Sequence, residues 1–229
     1  MALDTTEEEQ VEALKRWWKE NGTSLLTGVV IVLAVMLGAR KWQDSQSATA
    51  GQASDLYEQI AQIAVANVTK IISDDDMLAA QNVYSQLKEQ HKSSIYTRYA
   101  ALAMAKFHAD KEEIDQSAAE LQWILDNESL GMFDKAEPEL LQTVRERLAR
   151  LKLAKGDAQG ALDLVRKNPP GSYTVSYAET EGDALLQLGD QEGAKAAYLK
   201  AIQAIGDGNP AILKIKLQDL GVSGADIPK

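Results

Sequence analysis

The sequence predicts an all-α protein: one apolar helix near the N-terminus long enough to cross a membrane, then a solenoid of about four helical hairpins closed by a C-terminal capping helix. Three observations carry this. The run Asn21–Ala39, nineteen residues, holds no charged side chain. Two later segments, 148–165 and 181–198, superimpose at an offset of 33 residues. The composition is 45% apolar but only 6% aromatic, and its prevailing Ala, Leu, Gln, Lys and Glu lose little rotamer freedom in a helix.

Composition also excludes. With no cysteine there are no disulfides and no thiolate metal sites, although the redox compartment stays open. A formal net charge of −10 repels nucleic-acid phosphates, so no nucleic-acid partner is expected.

Residues 1–20 read as a cytoplasmic amphipathic segment. Thr6 and Glu9 have capping-box spacing, and Val11, Leu14, Trp17 and Trp18 share one helical face. Asn21-Gly22 would end that helix; the plainer reading is a straight extension of the helix that follows.

Residues 21–39 follow as a transmembrane helix, whose rise of about 1.5 Å per residue spans roughly the hydrocarbon of a bilayer. Trp17 and Trp18 before the run and Arg40, Lys41 and Trp42 after it suit the membrane interface. The rival is a cleaved signal peptide with Ala48-Thr49-Ala50 as its cleavage site, but the run is long for a signal core and the leader is acidic. Lys15, Arg16 and Lys19 against Arg40 and Lys41 lean towards a cytoplasmic N-terminus. Ser24, Gly28, Ile31, Val35 and Gly38 form one stripe at helical spacing, a surface for another membrane helix or simply ordinary transmembrane composition.

A polar stalk (residues 40–52) leads into residues 53–229, read as a periplasmic domain. In the two superimposed segments Ala149 falls on Gly182, Gly156-Asp157 on Gly189-Asp190, Ala161 on Ala194 and Val165 on Tyr198. Small residues twelve apart let antiparallel helices cross closely, Gly ends the first helix and Asp caps the second. This is the tetratricopeptide pattern, whose period is about 34 residues. Ala105, Ile114, Ser117 and Leu121 fit the same frame. Earlier, Ala80 and Tyr84 mark the second helix of a hairpin whose first helix covers 52–72, with Asp74–Asp76 as caps. At the far end Asn209 as N-cap, Pro210 at the first helical position and Gly221 as stop define the capping helix. The long connection 126–139 carries Leu130, Met132 and Phe133, a possible partner contact whose plainer fate is to fold back onto the core.

Catalytic patterns are missing. His91 and His108 lie far apart, each expected as a solvated helix-end residue, and no nucleophile elbow, phosphate loop or zinc motif occurs. No enzyme activity, cofactor or metal is expected; the residues describe a membrane-tethered protein-interaction module.

The string Gln10 to Gly22 (QVEALKRWWKENG), the single span after it and the degenerate repeats resemble the YfgM family, ancillary subunits of the SecYEG translocon in the bacterial inner membrane. The resemblance covers essentially the whole chain. It implies a single-pass inner-membrane protein with its repeat domain in the periplasm. There it would associate with SecYEG and a PpiD-like membrane-anchored chaperone, linking emerging secretory polypeptides to periplasmic chaperones. The family brings no catalytic residues. The competing reading is a membrane-tethered scaffold organising another cell-envelope complex.

Overall fold

Short polar side chains start several of the helices in this chain. Ser73 Oγ accepts the Asp76 N–H at 3.2 Å, Ser94 Oγ the Tyr96 N–H at 3.3 Å, and Asp157 and Asp190 the N–H groups of Gly160 and Gly193, each at 2.9 Å. Each satisfies a donor that the first helical turn leaves without a partner. The computed structural model describes residues 49–129, 136–206 and 208–224, together with Lys15, Lys19, residues 35–38, Arg40 and Lys41.

The chain divides into two units, Met1–Gln52 and Ala53–Lys229. In the first, Val35, Met36 and Leu37 are helical and expose their apolar side chains, and Gly38, Arg40 and Lys41 are helical too. Among the described residues no helix is long and apolar enough to cross a membrane. Most of the predicted span lies outside the described residues, including Ser24, Gly28 and Ile31, as do Trp17, Trp18 and Trp42.

The second unit is helical. Helical residues 53–66 form α1, followed by α2 (Asp74–Gln90), α3 (Ile95–Asp110), α4 (Ile114–Asp126), α5 (Pro138–Ala154), α6 (Ala158–Arg166), α7 (Thr174–Gln187), α8 (Gln191–Ile205) and α9 (Ala211–Asp219). A short 3₁₀ turn, Gly171–Tyr173, leads into α7. Consecutive helices pack, so the core runs along the stack. One cluster joins α1 to α5 through Ile60, Leu87, Met104, Phe107 and Leu121; a second joins α5 to α9 through Ala149, Ala161, Tyr198 and Leu217. Fully burying the larger aliphatic and aromatic side chains among these contributes about 1.5–3 kcal/mol each, the alanines less.

Within hairpins, the small residues predicted at the crossings are buried where expected: Ala105 with Ser117, Ala149 with Ala161, and Gly182 with Ala194. The Ser117 hydroxyl donates to the Ala105 carbonyl at 2.7 Å. At Gly182 the approach leaves no room for a side chain, for a Cβ there would lie 2.3 Å from Tyr198 Cε1. The Tyr198 ring is fully buried and its hydroxyl donates to Asp183 Oδ1 at 2.7 Å, so the ring is held against bare backbone.

Three expectations need correction. The first helix of the array ends at residue 66 and not at 72, because the buried Asn67 turns its carboxamide back to the Ile63 carbonyl at 2.9 Å and across to Asp76 Oδ2 at 3.1 Å. Ser73 caps α2, while Asp74, Asp75 and Asp76 occupy its first turn, where the helix dipole favours them. α9 begins at Ala211, one residue late: Pro210 is its N-cap and the Asn209 side chain accepts the Ala211 N–H at 3.1 Å.

Candidate functional site

A stack of helical pairs offers its function on whichever side its helices line in common. Here α5 lies directly on α7, whereas α4, α6 and α8 make no comparable contact with one another, so at these two hairpins the stack closes on the side of the first helices. That inner side is varied along its length.

At the N-terminal end, Tyr57 of α1 sits beside Tyr96 and Tyr99 of α3, ring centroids 5.9 and 6.0 Å apart, all three half-buried. The Tyr99 hydroxyl donates to Glu137 Oε2 at 3.3 Å, and desolvation with that carboxylate raises its pKa. In the middle, where α5 packs on α7, Gln142 and Glu146 of α5 and Thr180 of α7 are all buried. Burial raises the Glu146 pKa; Arg150, ion-paired with it one turn on, and Arg147 oppose the shift. Four buried side-chain atoms find no hydrogen-bond partner among the described residues, and two of them, Gln142 Oε1 and Thr180 Oγ1, lie on this seam. Leaving such a group unpaired costs about 1–3 kcal/mol. At the C-terminal end Lys216 of α9 donates to Glu179 Oε1 at 2.8 Å and to Asp183 Oδ1 at 2.6 Å. This clasp fastens α9 over the open end of α7 and α8, with the Lys216 ammonium 5.4 Å from the Tyr198 ring centre. Burial and the neighbouring Asp183 push the Tyr198 hydroxyl well above its ordinary pKa.

Farther out, the first two hairpins are tied together by Glu120 of α4, which accepts from the Tyr84 hydroxyl and, at 3.1 Å, from Lys88. Lys88 also lies over Tyr84 and Trp123, 4.5 and 4.8 Å from their ring centres.

Of the residues predicted as sites, Val35 and Gly38 of the stripe and the interface pair Arg40 and Lys41 are described, helical and exposed. Leu130, Met132 and Phe133 lie outside the described residues. Both ends of their connection are fixed: Ala136 N–H donates to the Glu128 carbonyl at 2.7 Å, and the buried Arg98 Nε donates to the Asn127 carbonyl at 3.3 Å. The histidines differ from expectation. His91 is 6% and His108 8% exposed, so both are buried and not solvated, and His108 Nδ1 lies 2.6 Å from Glu113 Oε2. Among the described residues no group of His, Asp or Glu could hold a metal ion. Nothing in the sequence pattern marked Gln142, Glu146 and Thr180, because the spacing of one helix does not reveal which polar face its neighbour will cover.

A family model described as a tetratricopeptide repeat-like domain matches residues 15–222. The chain is similar to a protein of Escherichia coli (strain K12) named "Ancillary SecYEG translocon subunit", at 28% identity over 97% of this chain and 100% of that protein. Proteins of the same name from Haemophilus influenzae (strain ATCC 51907 / DSM 11121 / KW20 / Rd) and Aggregatibacter actinomycetemcomitans are each 26% identical over 96% of this chain and all of their own length. No solved structure matches.

Proposed function

The chain belongs to the tetratricopeptide repeat-like domain family, and on that premise we propose that it is a non-catalytic ancillary subunit of the SecYEG translocon. One observation carries the reading: relatives bearing that name align with nearly all of this chain and all of themselves, so the match takes in the apolar run as well as the repeats. In this reading residues 21–39 anchor the protein in the inner membrane, with residues 1–20 in the cytoplasm and 53–229 in the periplasm. The exposed Val35, Met36 and Leu37 support the anchor, since adjacent apolar side chains turned outward from a helix suit lipid better than water. Trp17, Trp18, Arg40, Lys41 and Trp42 seat it at the two interfaces, and the stripe from Ser24 to Gly38 packs against a translocon helix. The inner side of the stack then holds a PpiD-like chaperone and, through it, emerging secretory polypeptides, with Leu130, Met132 and Phe133 as an additional contact.

The experiment is affinity capture of the full-length protein from its native membranes in mild detergent, read by mass spectrometry. A second protein with residues 21–39 replaced by an unrelated span serves as control. Enrichment of SecYEG and a PpiD-like chaperone is the expected result, reduced in the control. Enrichment of a different envelope complex without SecYEG would overturn the reading in favour of a scaffold.

A further inference from the structure

Between α3 and α5 the inner side of the stack opens into a cleft of about 260 Å³. Its floor is the close crossing of α3 and α4: Ala105, Ser117 and Leu121, each at most 3% exposed. The one hydroxyl there is already committed, since Ser117 donates to the Ala105 carbonyl at 2.7 Å. The floor is therefore mainly apolar and offers no free side-chain donor. Ala109 and Leu151 form the sides. The volume falls below the roughly 300–1,000 Å³ of small-molecule sites and suits one or two apolar side chains.

The rim is cationic. Lys106, Arg147 and Arg150 surround the mouth, and no carboxylate lines the cleft. Lys106 pairs with Asp110 and Arg150 with Glu146, each one turn along its own helix. The Lys106 pair is exposed, contributes little and is readily shared with a new anion. Glu146 is buried, so it is the outward, exposed guanidinium of Arg150 that faces the mouth. Arg147 has no ion pair among the described residues. A neighbouring cleft between α4 and α5 makes the contrast: there Lys155 meets Asp115 at 2.5 Å and Lys152 meets Asp157 at 2.7 Å, and both carboxylates line the cleft themselves, whereas Asp110 and Glu146 stand outside the lining of the α3–α5 cleft. A cluster of three cations round an apolar floor is a local reversal in a chain of net charge −10.

We infer that this cleft docks an acidic segment of a partner polypeptide, one large apolar side chain seated on Ala105 and Leu121 with flanking carboxylates against Lys106, Arg147 and Arg150. Charge complementarity selects the partner: a basic segment meets three like charges at the mouth, and a neutral one forgoes the rim. The site rests on the reading of the repeat domain as a protein-holding surface and gives that surface a sequence preference.

The test uses the full-length protein in detergent and three labelled, end-blocked probe peptides read by fluorescence anisotropy. One carries a central phenylalanine pair between glutamates, the second has lysines for the glutamates, and the third has glycines for the phenylalanines. Only the first is expected to bind, and Arg147→Glu or Lys106→Glu weakens it about ten-fold or more. These positions are exposed and lie on different helices, and circular dichroism identifies which variants are folded. Ala109→Trp, which fills the mouth and leaves the charges in place, also abolishes binding. Equal binding of the glutamate and lysine peptides, or unchanged binding by the folded variants, overturns the proposal. No translocon is present in this assay. Absence of probe binding therefore removes the cleft and leaves the translocon association standing, whereas failed capture of SecYEG removes that association and not the cleft.

Discussion

After α7 the chain turns through Gly189 at φ 86° and caps α8 with Asp190; after α3 it turns through Glu112 at φ 60° and begins α4 from Glu113, whose side chain makes no cap bond. The two turns nonetheless share one hydrogen-bond pattern. Gly189 N–H reaches the Leu186 carbonyl and Asp190 N–H the Leu185 carbonyl, at 3.0 and 2.9 Å; Glu112 and Glu113 reach Ala109 and His108 at 3.0 and 2.8 Å. Gly156-Asp157, after α5, repeats it. A left-handed residue other than glycine costs about 1–2 kcal/mol, so the α3–α4 hairpin retains its turn against local preference. Its compensation is tertiary: Glu113 gives its carboxylate to the buried His108, and the Ser117 hydroxyl bonds across the crossing. The later hairpin is specified by its turn, the earlier one by its packing.

The comparison can be broken most sharply at the packing of the later hairpin. Tyr198→Ala is expected to destabilise by about 3–5 kcal/mol, measured by urea unfolding of the full-length protein in detergent followed by circular dichroism. Leu121→Ala, the matching position between α4 and α3, should cost a similar amount, and a negligible loss there would mean that packing does not hold the earlier hairpin. Next comes Gly182→Ala, where the added methyl meets the Tyr198 ring. Overpacking of this kind costs about 1–3 kcal/mol, reduced by the gain of alanine over glycine in a helix. Adding Tyr198→Val should cost less than the separate losses sum to, and strict additivity would show that the contact is not felt.

Smaller effects sharpen the turns. Glu112→Gly should stabilise by about 1 kcal/mol and Gly189→Ala destabilise by about as much; equal and negligible effects would remove the distinction between the two turns. The smallest effect is in pH. Burial raises the Glu146 pKa above its unfolded value, so the native state binds this proton more tightly. Its contribution is fully present below the unfolded pKa and declines as pH rises through the folded one. Glu146→Gln should therefore flatten stability across that window, and an unchanged slope would show that the group is not perturbed.

The same distinction explains what was legible in the sequence. Gly156-Asp157 and Gly189-Asp190 carry their geometry in their identities, so the two later hairpins were placed at the turn itself. The α3–α4 hairpin was found only from its small and apolar residues, since Glu112-Glu113 gives no turn signal. The end of α1 was overrun because Val65, Val68 and Ile71 continue an apolar pattern, whereas the chain breaks at Asn67 through bonds to Ile63 and to the distant Asp76. Burial of His91 and His108 was illegible for a related reason: helix-end position is local, but the cover over it is not. The cationic cleft draws Lys106 from α3 and Arg147 and Arg150 from α5, and nothing in either helix alone announces the group.

The seat of Tyr198 on Gly182 also bears on how such repeats are inherited. The hairpins divide the space between their two helices differently: Ala105 faces Leu121, Ala149 goes with Val165, and Gly182 gives up its whole side chain to a tyrosine. A first helix from one hairpin thus cannot be spliced to a second helix from another without leaving a hole or forcing a collision. Recombination that keeps this stack intact must exchange both helices of a pair together, with its crossover points in the links between hairpins and not in the tight Gly-Asp turns inside them.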